Sequence, residues 1–564
     1  MKRIYLKILA IIPAIIAALT LTGCEDFLDS ENLTKKDTSN YPATPQDADQ
    51  LLTGVYSIMG RIEPLCSTYF ISELMSDNCF GGGDQADLST KAIDQFKKSS
   101  EDMFRNGWRA RYFGVYRSNF LMSVLDNIEW DSPEQREYIE GQCRFLRAYF
   151  FYDLSLMFGE IPMMTTPEAV NIPRTPANET YAQIALDLKK AIEMIPAVKA
   201  TEADPASLGR ITRWAAEALM ARVFLFYTGY YRTETLPCAD GTEITKADVK
   251  EWISDCIHNS GHALLDDFRN LWPYSYVQDY NYTADNGLNW AGDDNIEEVL
   301  SVKYSTLGTW DITPQKCNQY CLYYGVRGQA NYAYTFPFGQ GWGFGTVNPV
   351  LWNDWDDNDL RKKGSIIDTQ DRNEIRLYTK GGGNQMDETY YINKKHCPIN
   401  VYTDATKTQV VGYSVQLYNM TETNFQLTNT QNTILIRFAD VLLMAAELGT
   451  PDAQECFDRV RNRAGLASIP ATIDNIKNER RFELAFEGLR YYDLLRWHDE
   501  YLIDQNQHEV QVYNRKVPAK KTINYRPETR GFLPIPLTEI QLSEGVLTQN
   551  HGWEGSANYL EGAE

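Results

Sequence analysis

One stretch, Ile476 to Trp497, constrains this chain more than any other. Phe482, Ala485, Phe486, Leu489, Tyr492 and Arg496 recur at steps of three and four, which predicts a single helix over 476–497 with one mainly apolar side. Burying each large side chain of that side is worth about 1.5–3 kcal/mol. Its charges are harder to place. Glu479, Arg480, Arg481, Arg490, Asp493 and Arg496 stand among aromatics, where an ion stripped of water must be paired. The helix therefore demands charged partners from neighbouring helices.

Other segments supply candidates. Gln46–Met59, Asn106–Ile128, Arg144–Leu154, Tyr181–Ile195 and Ile211–Tyr227 carry apolar residues at helical steps, and Ala148, Ala185 and Ala218 are small enough for helices to approach closely. Gly159 and Pro162 are stop signals after the third of these, and Gly465 terminates a helix ending near Arg463. Ile436–Glu447 reads as a further helix, with Leu435, Phe438, Leu442 and Ala446 on one side. Before all of them, Lys2, Arg3 and Lys7 precede an apolar run from Ile8 to Thr22, short for a membrane span and suited to a secretory signal. Residues 24–45 follow as a polar tether, and 46–564 are long enough to bury a large core as one domain.

The middle is written differently. Between Trp272 and Trp355 lie six of the twelve tryptophans, with no helical period; only Glu298–Tyr304 reads as a strand. Phe336–Gly345 reads as an aromatic, glycine-rich loop that cannot easily hide its rings. Ser76–Gln85, with three successive glycines, reads as a surface loop displaying Phe80 and polar groups. Residues 272–430 are thus expected to form an irregular, ligand-facing lobe.

Composition removes several functions. A formal charge of -22, from 76 acidic and 54 basic residues, argues against nucleic acid or anionic lipid as the main partner. No lysine and serine or threonine follow Gly81–Gly83 in Walker fashion, and Gly-x-Ser-x-Gly is absent. His258 and His262 are four apart, but Asn259 stands where a zincin needs glutamate. Asp354, Asp356 and Asn358 are spaced as in a calcium loop, yet Asp359 replaces its glycine and Ser365 its glutamate. No pair of carboxylates is singled out as a glycosidase acid and base. Without Cys24 nine cysteines remain, an odd number; Cys143 reads as buried and inert, and Cys317 and Cys321 stay undecided.

Several motifs resemble a known family. Glu479-Arg480-Arg481 through Glu483-Leu484-Ala485-Phe486-Glu487-Gly488, with Arg490, Asp493 and Arg496-Trp497, is similar to the signature of the SusD/RagB family of outer-membrane nutrient-binding lipoproteins. Phe145-Leu146-Arg147-Ala148, Arg437-Phe438-Ala439-Asp440, Val460–Leu466, Phe532–Pro536 and Gln549–Trp553 match further family motifs, and Asp359-Leu360-Arg361 occupies the place of its Asp-Pro-Arg element. The resemblance implies a mainly α, SusD-like fold, with tetratricopeptide-like helical pairs as scaffold, loop-rich aromatic excursions and minor β structure. It implies a scaffold role for the signature residues. Leu21-Thr22-Gly23-Cys24 resembles a lipobox, so residues 1–23 would be a lipoprotein signal peptide and Cys24 the acylated anchor in the bilayer, followed by acidic Glu25, Asp26 and Asp29.

The resemblance also implies a function: capture of an oligosaccharide and delivery to a SusC-like TonB-dependent barrel, without catalysis and without a cofactor other than the structural calcium of some members. Capture of peptide, as in the RagB branch, is the alternative within binding; a surface glycoside hydrolase is the alternative outside it. Tryptophan and tyrosine faces suit the C–H faces of sugar rings while polar neighbours bond the hydroxyls. On that ground Trp290, Trp310, Trp342, Phe344 and Tyr323, with Phe80, are the candidate ligand-binding residues.

Overall fold

The computed structural model describes residues 41–60, 67–310, 317–554 and 558–561. Cys24, the signal peptide and nearly all of the tether lie outside them. The frame is helical, and four of its long helices start at a capping side chain. Thr44 caps Pro45–Met59 in a reciprocal box with Asp47, Ser132 caps Pro133–Phe158, Thr212 caps Arg213–Tyr231, and Thr245 with Asp248 caps Lys246–Asn259. Pro133–Phe158 stops at Gly159, as its sequence requires.

Consecutive helices pack on one another: Arg105–Val124 on Pro133–Phe158, that helix on Ala177–Met194, and so on through Arg213–Tyr231 to Lys246–Asn259. Ala148, Ala185 and Ala218 are fully buried in these seams. A buried ion pair pins one of them, because Arg147 donates to Asp187 at 2.7 and 2.8 Å and to Asn119 at 2.8 Å. The array is completed by Phe438–Leu448, Ala453–Arg463 and the segment around Ile476.

That segment is not one helix. It forms Ile473–Glu483 and Arg490–Trp497, separated by a turn in which Phe486 and Gly488 take left-handed φ values of 68° and 76°. The break has a reason. It turns Glu483 and Glu487 into one buried cluster, where Glu483 accepts from Arg361 at 2.7 Å and also from Arg437 and Arg463, and Glu487 accepts from Arg437 at 2.7 Å and Lys395 at 2.8 Å. Arg480 reaches Asp440 and Asp493, Arg490 reaches Asp77, and Arg496 reaches Glu447 and Asp493. The demanded partners exist. Only some are helical: Arg361 lies in the short helix Leu360–Ser365, whereas Lys395 is in a turn and Arg437 ends the strand Thr433–Arg437.

Strands are short and occur, among the described residues, as two-stranded antiparallel pairs. Glu298–Val302 is a strand as read, but its partner is Thr433–Arg437, taken from the start of what reads as helix. Its β-branched Thr433, Ile434 and Ile436 favour that outcome. Ser76–Gln85 also departs from its reading. Cys79–Gly82 is a fully buried strand paired with Phe344–Val347, in register Phe80↔Thr346 and Gly82↔Phe344.

Core residues form one large cluster and a second built only from residues 268–413. The eight cysteines described are buried, Cys317 and Cys321 among them. Burial pushes the Cys143 thiol up to about 12. No described helix is long and apolar enough to cross a membrane.

Candidate functional site

Five of the six aromatic candidates separate into three places. Tyr323, Trp342 and Phe344 meet, with ring centroids 5.5 Å apart for Tyr323–Trp342 and 5.8 Å for the other two pairs. Trp290 is elsewhere, half-buried edge-on to Tyr413 and Tyr276. Trp310 is 58% exposed, just before a segment outside the described residues.

Two candidates must be withdrawn as ligand contacts. Phe80 and Tyr323 are fully buried, Phe80 in the strand under Lys521 and Tyr323 on the inward side of the short helix Gln319–Tyr324 against Phe70. Phe344 is nearly so, showing only an edge. The stretch Phe336–Gly345 hides most of its rings after all, since Phe338 is buried and Phe336 stacks on Tyr402 at 3.8 Å.

The glycines explain how. In the sequence they suggest slack; in the fold they let backbones touch. A Cβ on Gly82, at φ 68°, would lie 2.3 Å from the carbonyl oxygen of Gly343, and one on Gly343, at φ 66°, would lie 2.2 Å from Gln385 Oε1. The loops therefore pack as a solid wall with few rings left outside.

Trp342 is the partly exposed ring of that wall. It faces a groove enclosing about 440 Å³, lined also by residues 86–90, Arg327 and the Phe344 edge. Arg327 is fixed there by three acceptors: Gly383 O at 2.9 Å, Trp342 O at 3.0 Å and Asp84 Oδ2 at 2.7 Å. Asp87 lies 3.8 Å from the same guanidinium and accepts the Asp84 N–H at 2.7 Å. Behind the wall, Lys521 links Asp94 and Asp387. Burial pushes the Asp94 carboxyl up to about 6 against the pull of Lys521.

A ring edged by fixed polar groups in a groove of this size can hold a small polar ligand by one face. Asp87 and Arg327 were not singled out from sequence. Arg327 sits between Gly325 and Gly328, and Asp87 follows Gly81–Gly83, so glycine-flanked charge is the signal that could have found them.

Other cavities fit less well. One of about 450 Å³ lies along Arg105–Val124 beside exposed Phe113, Tyr116 and Leu542, and one of about 440 Å³ lies between residues 195–212 and 294–301; neither holds a candidate aromatic. An internal void near Arg222 and Arg480, about 60 Å³, is too small for a sugar ring. His258 pairs with Asp452, His262 Nδ1 lies 2.9 Å from Ile296 O, and Asp354 pairs with Arg481.

Comparison with known proteins decides the family. A model described as the SusD family matches residues 270–553, and a second, described as starch-binding associating with outer membrane, matches 26–225. The chain belongs to the SusD family. It is 25% identical to a SusD-like protein of Formosa agariphila over 96% of this chain and 98% of that one. Among solved SusD folds, a laminarin-binding SusD-like protein superposes with TM-score 0.71 at 24% identity, covering 91% of this chain and all of that one. A surface glycan-binding protein A from Bacteroides thetaiotaomicron, in complex with laminarihexaose, superposes at 0.68 with 21% identity, over 90% of this chain and all of that one. The SusD signature is thus scaffold here: Glu479, Arg480, Glu483, Glu487, Arg490, Asp493 and Arg496 are all buried in ion pairs.

Proposed function

We propose that this chain is a cell-surface lipoprotein that binds an oligosaccharide and passes it, without chemistry, to a SusC-like TonB-dependent barrel in the outer membrane. The observation that carries the reading is the partly exposed Trp342 ring beside Arg327, Asp84 and Asp87, on a SusD-family frame whose signature residues are spent on packing. Relatives described as binding laminarin and holding laminarihexaose support a glycan as the ligand, and the outer-membrane description of the matching family model supports the location. Cys24 after Leu21-Thr22-Gly23 supports the lipid anchor.

Calorimetry with laminari-oligosaccharides and other glycan oligomers, beside a peptide pool, tests the reading. Trp342→Ala should weaken glycan binding about tenfold or more, with Trp310→Ala contributing if the ligand extends that far. If Trp290→Ala, Trp310→Ala and Trp342→Ala all leave affinity unchanged, the assignment is wrong. Heat released by peptide alone would move the protein to the peptide-binding branch. New reducing ends on incubation with glycan would sink the binding-only role.

A further inference from the structure

We infer that the Trp342 groove selects neutral glycans and rejects those carrying carboxylate or sulfate groups. This rests on the glycan-binding reading above and names the class of glycan.

The charged residues lining the groove are Asp87 and Arg327, with Asp84 at its edge. Three of the five N–H groups of Arg327 already have acceptors, at 2.7 to 3.0 Å, and Asp87 adds a second carboxylate 3.8 Å from the guanidinium, so two carboxylates face its single positive charge. An anionic sugar approaching this guanidinium also meets Asp84 and Asp87, whose two negative charges outnumber its one positive charge. Lys91, the next cation along the chain, is buried and donates to the carbonyl oxygens of Asp84 and Gln85, so it offers the groove nothing.

What stays accessible is the reverse charge. The Asp84 and Asp87 side chains are 32% and 31% exposed, against 19% for Arg327. Carboxylate oxygens accept from sugar hydroxyls and repel a uronate or sulfate within a few ångström. The Trp342 face adds an apolar seat for ring C–H groups, indifferent to ionic strength. The whole chain, at -22, pushes in the same direction.

Native affinity electrophoresis of the purified full chain tests this, with laminarin, starch, xylan or glucomannan in one set of gels and polygalacturonate, alginate or dextran sulfate in the other. Retardation is expected by at least one neutral polymer, by no acidic one, and without change between roughly 50 and 500 mM sodium chloride. Asp87→Asn keeps an oxygen for the Asp84 N–H while removing a charge, and should bring measurable retardation by polygalacturonate. Retardation of the wild-type protein by any acidic polymer overturns the inference while leaving the glycan reading intact, as does an Asp87→Asn variant with unchanged preference. Retardation by neither set removes the glycan reading and the inference with it.

Discussion

Glu483 concentrates the residue-scale energetics. Burial alone would raise its carboxyl, but Arg463, Arg437 and Arg361 hold it far below the usual carboxylate range. Replacing it with glutamine would leave three nearly buried guanidinium groups short of negative charge, and a broken buried cluster typically costs about 3–5 kcal/mol. Glu483→Gln should lose stability on that scale in denaturant titration. Lys407→Ala, at a pair with Asp279 whose side chains are both 55% exposed, should leave the denaturation midpoint essentially unchanged.

Glu73 behaves in the opposite way. It is buried beside Asn78 and the Gly488 N–H, and desolvation outweighs them, raising its carboxyl from 4.5 to about 7. The folded state therefore holds a proton that the unfolded chain has released, so stability falls as pH rises from 4.5 to about 7 and levels off above. Glu73→Gln should become more stable relative to wild type across that window, by on the order of 2–3 kcal/mol at its upper end. Paired melts at the two ends of the window measure it.

At the scale of elements, the strand pair Cys79–Gly82 with Phe344–Val347 positions the groove, because it sets where Trp342 leaves the wall. Its weak point is Gly82, where a side chain meets backbone and the left-handed φ is costly for any other residue. Gly82→Ala should destabilise by about 2 kcal/mol or more and reduce glycan affinity together with stability. Gly241→Ala, at φ 85° with open space around its Cβ, should show the backbone cost alone and leave binding unchanged. The break at Phe486 belongs to the same scale. A continuous helix through Trp497 would satisfy the apolar period, and the buried ions outweigh it.

For the whole molecule, the ion cluster is a fastening. Arg361, Lys395 and Arg437 come from three separate places in or beside the irregular middle and converge on Glu483 and Glu487 of the signature, and Glu297 joins the cluster by pairing with Arg437 and Arg463. The aromatic lobe is thereby held to the helical frame at a fixed attitude. The proposed assembly has its own test. Cys24→Ser should move the protein from the membrane fraction to the soluble one, and the wild-type protein isolated in mild detergent should bring a TonB-dependent barrel with it. A lone wild-type protein, or a membrane fraction unaffected by the substitution, counts against the assembly.

Most helices of the frame were legible in outline, because a 3.6-residue apolar period and a terminating glycine are local signals, though Pro133–Phe158 runs well beyond the stretch read from its period and Lys246–Asn259 was not read as helix. So was the need to pair the signature charges, since no buried ion stands alone. The family followed from the same motifs. Local pattern could not show that Gly81–Gly83 and Gly341–Gly345 are the two sides of one close contact, nor that Phe80 and Tyr323 face inward while Trp342 stays partly open. A glycine run looks identical whether it is slack in water or pressed against another backbone, and an aromatic ring carries no mark of which side will be covered. Those outcomes depend on residues hundreds of positions away, and packing alone decided them.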